Sequence, residues 1–422
     1  MEQSVYLTKN LIQLYHRGLV AAFDSIFESG SFEARLGKAL LLGGADLLNF
    51  SSPLPSNPSW THEEWHRAVL AARDIPSQDD VYKNSTSDII YVSHVRDSDL
   101  SLLKKEHPAE FVRLMSAGME AQSRLNYLLI SDNFFQTGPQ SNDLVVLWFN
   151  QLNNTFYLNS CATGEADGSS VRENIITGKN QKARDFTGFD CNAWVYDLFR
   201  PGEPYEARGP NPQGNGFDRS IKFSDGNSYG GAILNQLQYG NQRRYSDLNE
   251  SERDYLRLQT RLSVLNFISP PLFAVSSIPA FDGEASWNFS FLHSLTPFGY
   301  DVGFHGFFKL DDVNLAITLH SYSNAHMRMP GLELYLLRYP ASLFGQDFRF
   351  DFGFALWQQP YEQKFWTDRK EAGGSLRTRA GILLFNNIEY YIDISCKSRG
   401  WQEGAVYLTR TAELRTGLAL LF

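Results

Sequence analysis

The sequence predicts an α+β chain, with an N-terminal helical domain followed by an antiparallel transmembrane β-barrel of about 8–12 strands. Three observations predict this. Apolar residues recur at helical spacing through positions 1–140, and the chain from 284 to 422 is nearly all strand and turn. The strands of that second part alternate apolar with polar or charged residues over long runs, which puts two different solvents on their two faces.

The first 140 residues hold three helix candidates. Positions 11–28 and 32–50 show apolar spacing of three and four, and 108–130 repeats it, with the turn-rich Ser/Pro stretch 51–58 between the second and the third. Residues 141–283 read as a mixed region that could supply the first barrel strands. There 145–152 and 155–161 are expected to form a hairpin turning at Asn153 and Asn154, and 192–199 another strand. Residues 202–230 are Gly/Pro/Asn-rich loop, without phosphate-loop spacing. Positions 251–268 are expected to be helical until Pro270 and Pro271 stop them.

In the last third, Phe348, Phe350, Phe352, Phe354 and Leu356 alternate with Asp347, Arg349, Asp351, Gly353 and Ala355. Val313, Leu315, Ile317 and Leu319 do the same, as do Leu332, Leu334 and Leu336, and Ile388, Tyr390, Ile392 and Ile394. A soluble sandwich buries its apolar face and seldom lines it with a row of Phe, so apolar side chains facing lipid and charges facing a lumen fit better. About eight strands follow residue 283. Short turns are expected at 309–311, 340–345 and 386–387, and longer loops at 322–329, 359–373 and 398–404. The inferred lumen charges nearly balance. Asp301, Glu333, Asp347, Asp351, Glu389 and Asp393 stand against Arg349, Arg377, Arg379, Lys397 and Arg415, which suggests paired charges or an enclosed domain. His305 and His320 are expected to be hydrogen-bonded fillers of that lumen.

The chain ends in Arg415, Gly417, Leu420 and a terminal Phe422 at the spacing of a strand. This resembles the C-terminal signal of bacterial outer-membrane β-barrels. The resemblance implies the cell outer membrane of a Gram-negative-type bacterium, with its lipid and the barrel assembly machinery as partners. It also implies a signal peptide, and the N-terminal residues lack one, so Met1 is expected to replace a leader removed by maturation or cloning. No run of about 20 apolar residues occurs, which excludes a transmembrane helix. Aromatics make up 14% of the chain, as girdles at two membrane interfaces require. A net charge of −9 without basic clusters argues against nucleic acid as a partner. Of the three cysteines, Cys161 and Cys191 could pair outside the cytosol, and Cys396 continues the lipid-facing parity of Ile392 and Ile394.

One motif carries chemistry. His62-Glu63-Glu64-Trp65-His66 places two imidazoles on one helix face, where both can bind one Zn²⁺, with Glu63 beside the open coordination position as general base and acid. The same residues also read as a helix start, with Thr61 and Glu64 as a capping box and Trp60 and Trp65 as a hydrophobic staple. The motif resembles the zinc metallopeptidases of the H-E-x-x-H group over about a dozen residues, departing from them at Glu64 and Arg67. Ala72 stands where the longer form of the motif has a third His. The Glu-type (gluzincin-like) arrangement then implies a glutamate on a later helix, for which Glu120 is the best candidate, with Arg124 to orient it. The competing reading is an exposed Glu120–Arg124 pair. His94 and His107 are alternative ligands, and Tyr91, His94 or Tyr127 could serve as oxyanion donors.

These readings combine into an outer-membrane zinc metallohydrolase acting on a peptide or protein substrate. Its metal ligands are expected to be His62, His66 and Glu120, and its catalytic residue Glu63. A lipid or glycan deacylase, and a non-enzymatic barrel with a helical plug, are the alternatives.

Overall fold

The computed structural model describes residues 1–27, 31–83, 88–135, 142–164, 189–205, 221–222, 228–229, 243, 245–280, 284–311, 313–343, 345–385 and 388–420. Phe422 and the turn residues Asn386 and Asn387 lie outside these, as does most of the 202–230 stretch.

Three helices open the chain: α1 (Glu2–Ile26), α2 (Phe32–Ser51) and α3 (Pro58–Ala71). A hairpin of β1 (Gln78–Lys83) and β2 (Asp88–Ser93) follows, then α4 (Asp97–Glu106) and α5 (Pro108–Phe135). After α6 (Leu144–Thr163) and α7 (Asp190–Phe199) come a two-residue strand pair, β3 (Ile221–Lys222) with β4 (Ser228–Tyr229), and then α8 (Glu250–Ser263). Helix α5 is the axis of the helical region. Pro108 supplies a preset helical φ at its start, and every side chain from Glu110 to Ser131 is buried. Such burial on all sides requires partners all round: α1, α3, α4, α6 and α7 pack on it, and so do the sheet strands β6 and β7.

Two expectations in the middle of the chain are corrected. The hairpin expected across 145–161 is the single helix α6, with Asn153 and Asn154 in its interior. Its buried face carries Asn150, Gln151 and Asn154 among the apolar residues, which hides the helical period from a hydrophobicity count. Asn150 Nδ2 donates to the Gln122 carbonyl and to Asn126 Oδ1 on α5, so this buried amide nitrogen is satisfied by a neighbouring helix rather than by water. The strand expected at 192–199 is α7, anchored by Trp194 Nε1 donating to the Thr296 carbonyl at 2.9 Å. The capping box is corrected too. Helix α3 starts at Pro58 with Asn57 as its cap, the Asn57 side chain accepting from the Ser59 amide at 2.8 Å. Thr61 is therefore inside the helix, buried and hydrogen-bonded to Thr8 of α1, and Glu64 pairs with Arg67.

The last third is one antiparallel meander of nine strands: β5 (Ile278–Ala280), β6 (Ala285–Thr296), β7 (Gly299–Leu310), β8 (Val313–Ser323), β9 (Arg328–Leu343), β10 (Gln346–Pro360), β11 (Lys370–Phe385), β12 (Ile388–Lys397) and β13 (Thr411–Leu420). Each strand pairs with its sequence neighbours, so the expected alternation of turns and loops holds, although β9 runs on past Pro340 to Leu343. Among the described residues no ladder joins β13 to β5 or β6, so the expected closure into a barrel is not seen there.

The two faces of the sheet differ sharply. Phe352, Leu356, Leu376, Ile394, Leu414 and Leu418 point outward and are 45–72% exposed. Asp301, Glu389, Asp393 and Lys397 point inward and are at most 8% exposed. The helical region occupies that inner side. Tyr127 of α5 packs on His305 and Phe307, and Asp132 lies 3.5 Å from Arg338 of β9. Arg377 bonds both Glu2 of α1 and Asp393. His305 is buried and His320 partly so, and both are hydrogen-bonded fillers: His305 Nδ1 bonds Thr318 Oγ1 at 3.0 Å and His320 Nδ1 bonds Asp301 at 2.6 Å.

Candidate metal centre

Helix α3 presents His62 and His66 on one face, four residues apart, toward α5 and the start of α7. Both rings meet the same carboxylate. His62 Nε2 lies 2.9 Å from Asp190 Oδ2 and His66 Nε2 lies 3.3 Å from it. One ligand atom from each of the three residues falls within 4.8 Å of the others, so His62, His66 and Asp190 could hold a metal ion.

The neighbouring elements fix this geometry. His66 Nδ1 is 2.5 Å from the Leu114 carbonyl oxygen of α5. A carbonyl can only accept, so Nδ1 carries the proton and Nε2 faces Asp190, the tautomer a metal ligand needs. Gly118 of α5 lies directly under His62: a Cβ there would stand 2.2 Å from its Cδ2 and Nε2 atoms. Glycine at 118 is thus required by the close approach of an imidazole rather than of another helix backbone. Asp190 occupies the first turn of α7, where free backbone N–H groups favour a carboxylate, and its own amide donates to the Tyr157 hydroxyl of α6 at 3.0 Å. The Tyr157 ring in turn packs edge-on against His62.

Burial sets the electrostatics. His66 and Asp190 side chains are 2% and 6% exposed, and His62 keeps 12%, so the cluster opens on the His62 side. Burial alone would depress His66, but the adjacent Asp190 carboxylate outweighs it and lifts the imidazole to about 9. Burial does prevail at His62, which is lowered despite Asp190. Burial opposes ionisation of Asp190, yet the two histidines hold it well below the usual carboxylate range. Glu63 is half-buried beside the cluster, and its charge contributes to raising His66.

The donor set is two imidazole nitrogens and one carboxylate oxygen, with a hydrogen bond behind one of the imidazoles. That fits a borderline divalent cation with room for a further ligand. Cys161 and Cys191 are next to the centre but stay out of it as buried thiols that form no disulfide, their side chains hydrogen-bonded to each other, while Cys396 is exposed and also forms none.

Glu120 does not join the two histidines. It is wholly buried on another face of α5, where Arg113 Nη2 donates to it at 2.8 Å, the Trp401 indole at 3.2 Å and the Gly404 amide at 3.0 Å. The exposed Glu120–Arg124 pair is corrected as well. Arg124 is buried and bonds Glu2 Oε1 at 3.0 Å. The physical reason is helix phase: His62 and His66 touch α5 at Leu114 and Gly118, and position 120 is about 200° further round at 3.6 residues per turn. His94 bonds Ser93 and pairs with Asp80 beside the β1–β2 hairpin, and His107 caps α4, so neither reaches the centre. Tyr127 faces the sheet. The residue that sequence reasoning missed is Asp190, and reading 190–199 as a helix start would have singled out a carboxylate in its first turn. Comparison with protein-family models, curated proteins and solved structures gives no match for this chain.

Proposed function

We propose that this protein is an outer-membrane zinc hydrolase in which a lipid-facing β-sheet encloses a helical domain, and that it cleaves an acyl bond, most simply a peptide bond. The observation that carries the reading is the convergence of both histidines of the H-E-x-x-H motif on the buried carboxylate of Asp190. Structural histidines on a helix need partners but do not need to share one carboxylate oxygen. In this reading His62, His66 and Asp190 hold Zn²⁺, and Asp190 replaces Glu120 as third ligand.

When bound, the metal would supply Lewis acidity and lower the pKa of a bound water. The rest falls to the chain. His66 is kept in its metal-binding tautomer by Leu114. Glu63, following His62 on the same helix turn, takes the proton of the attacking water and returns it to the leaving group. Substrate enters beside His62, the least buried member of the centre. Esters and N-acyl groups present the same carbonyl, so the deacylase reading shares this chemistry.

Placement in the outer membrane is supported by the apolar outer face of the sheet and by the resemblance of the last strand, through Arg415 and Gly417, to the outer-membrane signal. The test is zinc content after equilibrium dialysis of detergent-extracted protein, followed by assay on fluorogenic peptide and acyl-ester panels. One zinc per chain is expected in the wild type and in Glu63→Gln, with turnover lost in Glu63→Gln, and none in Asp190→Ala. A wild type that takes up no zinc would refute the metal reading.

A further inference from the structure

Helices α1 and α2 carry polar side chains on their buried faces beside Val5, Ile12 and Leu42: Lys9 pairs with Asp132, and His16 sits between Asp46 and Asp143, 2.8 and 2.6 Å from their carboxylate oxygens. Several of their large apolar side chains are exposed instead, with Leu7 at 60%, Leu40 at 68%, Leu47 at 57% and Leu48 at 63%. Between Ala39 and Leu48 the exposed residues of α2 are Ala39, Leu40, Leu41, Gly44, Leu47 and Leu48, without a single charge. The spacing places them on one side of the helix. In water a helix orients itself the other way.

The sheet shows the same inversion, with leucines outward and aspartates inward, although its backbone geometry has nothing in common with a helical hairpin. Two unrelated elements with the same reversed polarity point to one shared apolar solvent. They are also physically joined. Glu2, at the start of α1, accepts from Arg377 of β11 at 3.1 Å and from Arg415 of β13 at 3.4 Å, which seats α1 against the last strand of the meander. From there Leu7 and Leu14 continue the apolar surface along α1.

We infer that the α1–α2 hairpin rests its apolar face in the acyl layer of the same membrane that covers the sheet. The inference builds on the outer-membrane placement proposed above. Among the described residues no helix is long and apolar enough to cross a membrane, so the hairpin would lie along the lipid rather than span it. A second copy of the chain would account for one covered patch, but not for the polarity of two elements reversed alike.

The test is nitroxide labelling of full-length protein in phosphatidylcholine vesicles. The background is Cys396→Ser, since Cys161 and Cys191 are buried. Labels go at Leu40→Cys and Leu47→Cys, with Leu376→Cys on the sheet's outer face and the exposed Arg35→Cys as references. Labels at 40, 47 and 376 are expected to relax with oxygen and to lose access to a water-soluble nickel chelate, with the reverse at 35. Nickel access at 40 and 47 with protection at 376 would overturn the hairpin inference and leave the membrane placement standing. Nickel access at all three would overturn both. Broadening at 40 that sharpens on dilution with unlabelled chains would identify a second copy as the cover and overturn the inference.

Discussion

On one side of α5, beside Leu114 and Gly118, two imidazoles close around the carboxylate of Asp190. On another side Glu120 is met by a guanidinium, an indole and a backbone amide, and nearby Glu2 is held by Arg124, Arg377 and Arg415. Both sites bury carboxylates near a helix axis, but they differ in what surrounds the charge. Burial opposes ionisation of Glu2, yet Arg377 and Arg124 overcome it and hold the group down to about 2. A carboxylate with permanent cations around it has no need of a metal and little electron density to offer one. Asp190 is met by two imidazoles, which can give up their protons when a metal arrives. The kind of cation, more than the presence of a glutamate on a helix, separates a structural site from a candidate ligand site.

Exchanging the fates of the two carboxylates tests this contrast, and the largest effect is expected there. Asp190→Asn should remove zinc binding outright while leaving the sheet and α5 assembled, because its partners are neutralisable. Glu120→Gln should bind zinc as the wild type does, yet unfold at markedly lower denaturant. Breaking a buried ion pair while leaving Arg113 uncompensated costs about 3–5 kcal/mol. Zinc stoichiometry and denaturant midpoints, measured on both variants, decide it. Zinc loss in Glu120→Gln with an unchanged midpoint would reverse the assignment of the two sites.

A smaller effect comes from the third buried carboxylate group, where His16 bridges Asp46 and Asp143 and Tyr15 donates to Asp46. Burial would lower this imidazole, but its bonds to Asp143 and Asp46 raise it to about 9. A folded pKa raised above the unfolded value near 6.5 gives stability that is fully present below about pH 6.5 and fades as pH climbs through 9. At about 1.4 kcal/mol per unit the term reaches roughly 3 kcal/mol at most. The wild type should therefore lose stability between pH 6.5 and 9 relative to His16→Gln, whose own profile should be flatter. Parallel profiles for the two proteins would show that His16 is not the charged bridge between α1, α2 and the start of α6.

The alternation of the sheet was legible in the sequence because strand side chains report their solvent residue by residue. Phe352 and Leu356 face out while Gly353 and Ala355 face in, and no tertiary knowledge is needed to see it. The pairing of His62 with His66 was legible for a similar reason, since four residues of helix always bring two side chains together. The third member of the cluster was not. Asp190 reaches the centre from a different helix, 124 residues beyond His66 in the chain, and helix α7 looked like a strand because Trp194, Val195 and Tyr196 favour strands in isolation. Helix α6 was hidden by its buried asparagines, and the capping box at Thr61 lost to an earlier start at Pro58. In each case packing against α5 or α1 decided what local preference left open.

Gly118 offers the finest test of the difference between the faces of α5, since it alters one of them by a single methyl group. In a helix interior alanine is normally favoured over glycine by about 1 kcal/mol, so Gly118→Ala should help α5 if nothing lay against it. The imidazole of His62 does lie there, at 2.2 Å from the added carbon, and must shift. The three atoms nearest the added carbon all belong to His62, so His66 and Asp190 are expected to keep their places. Zinc affinity should fall about 10–100-fold, the range seen when a ligand's orientation is disturbed rather than its identity lost. Glu120, on its separate face, should be untouched, and the denaturant midpoint of the metal-free protein should stay near that of the wild type. A competitive chelator titration measures the first quantity and metal-free unfolding the second. Unchanged affinity would mean that His62 does not hold the metal; a large fall in the metal-free midpoint would mean that Gly118 serves the packing of α3 on α5 rather than the centre.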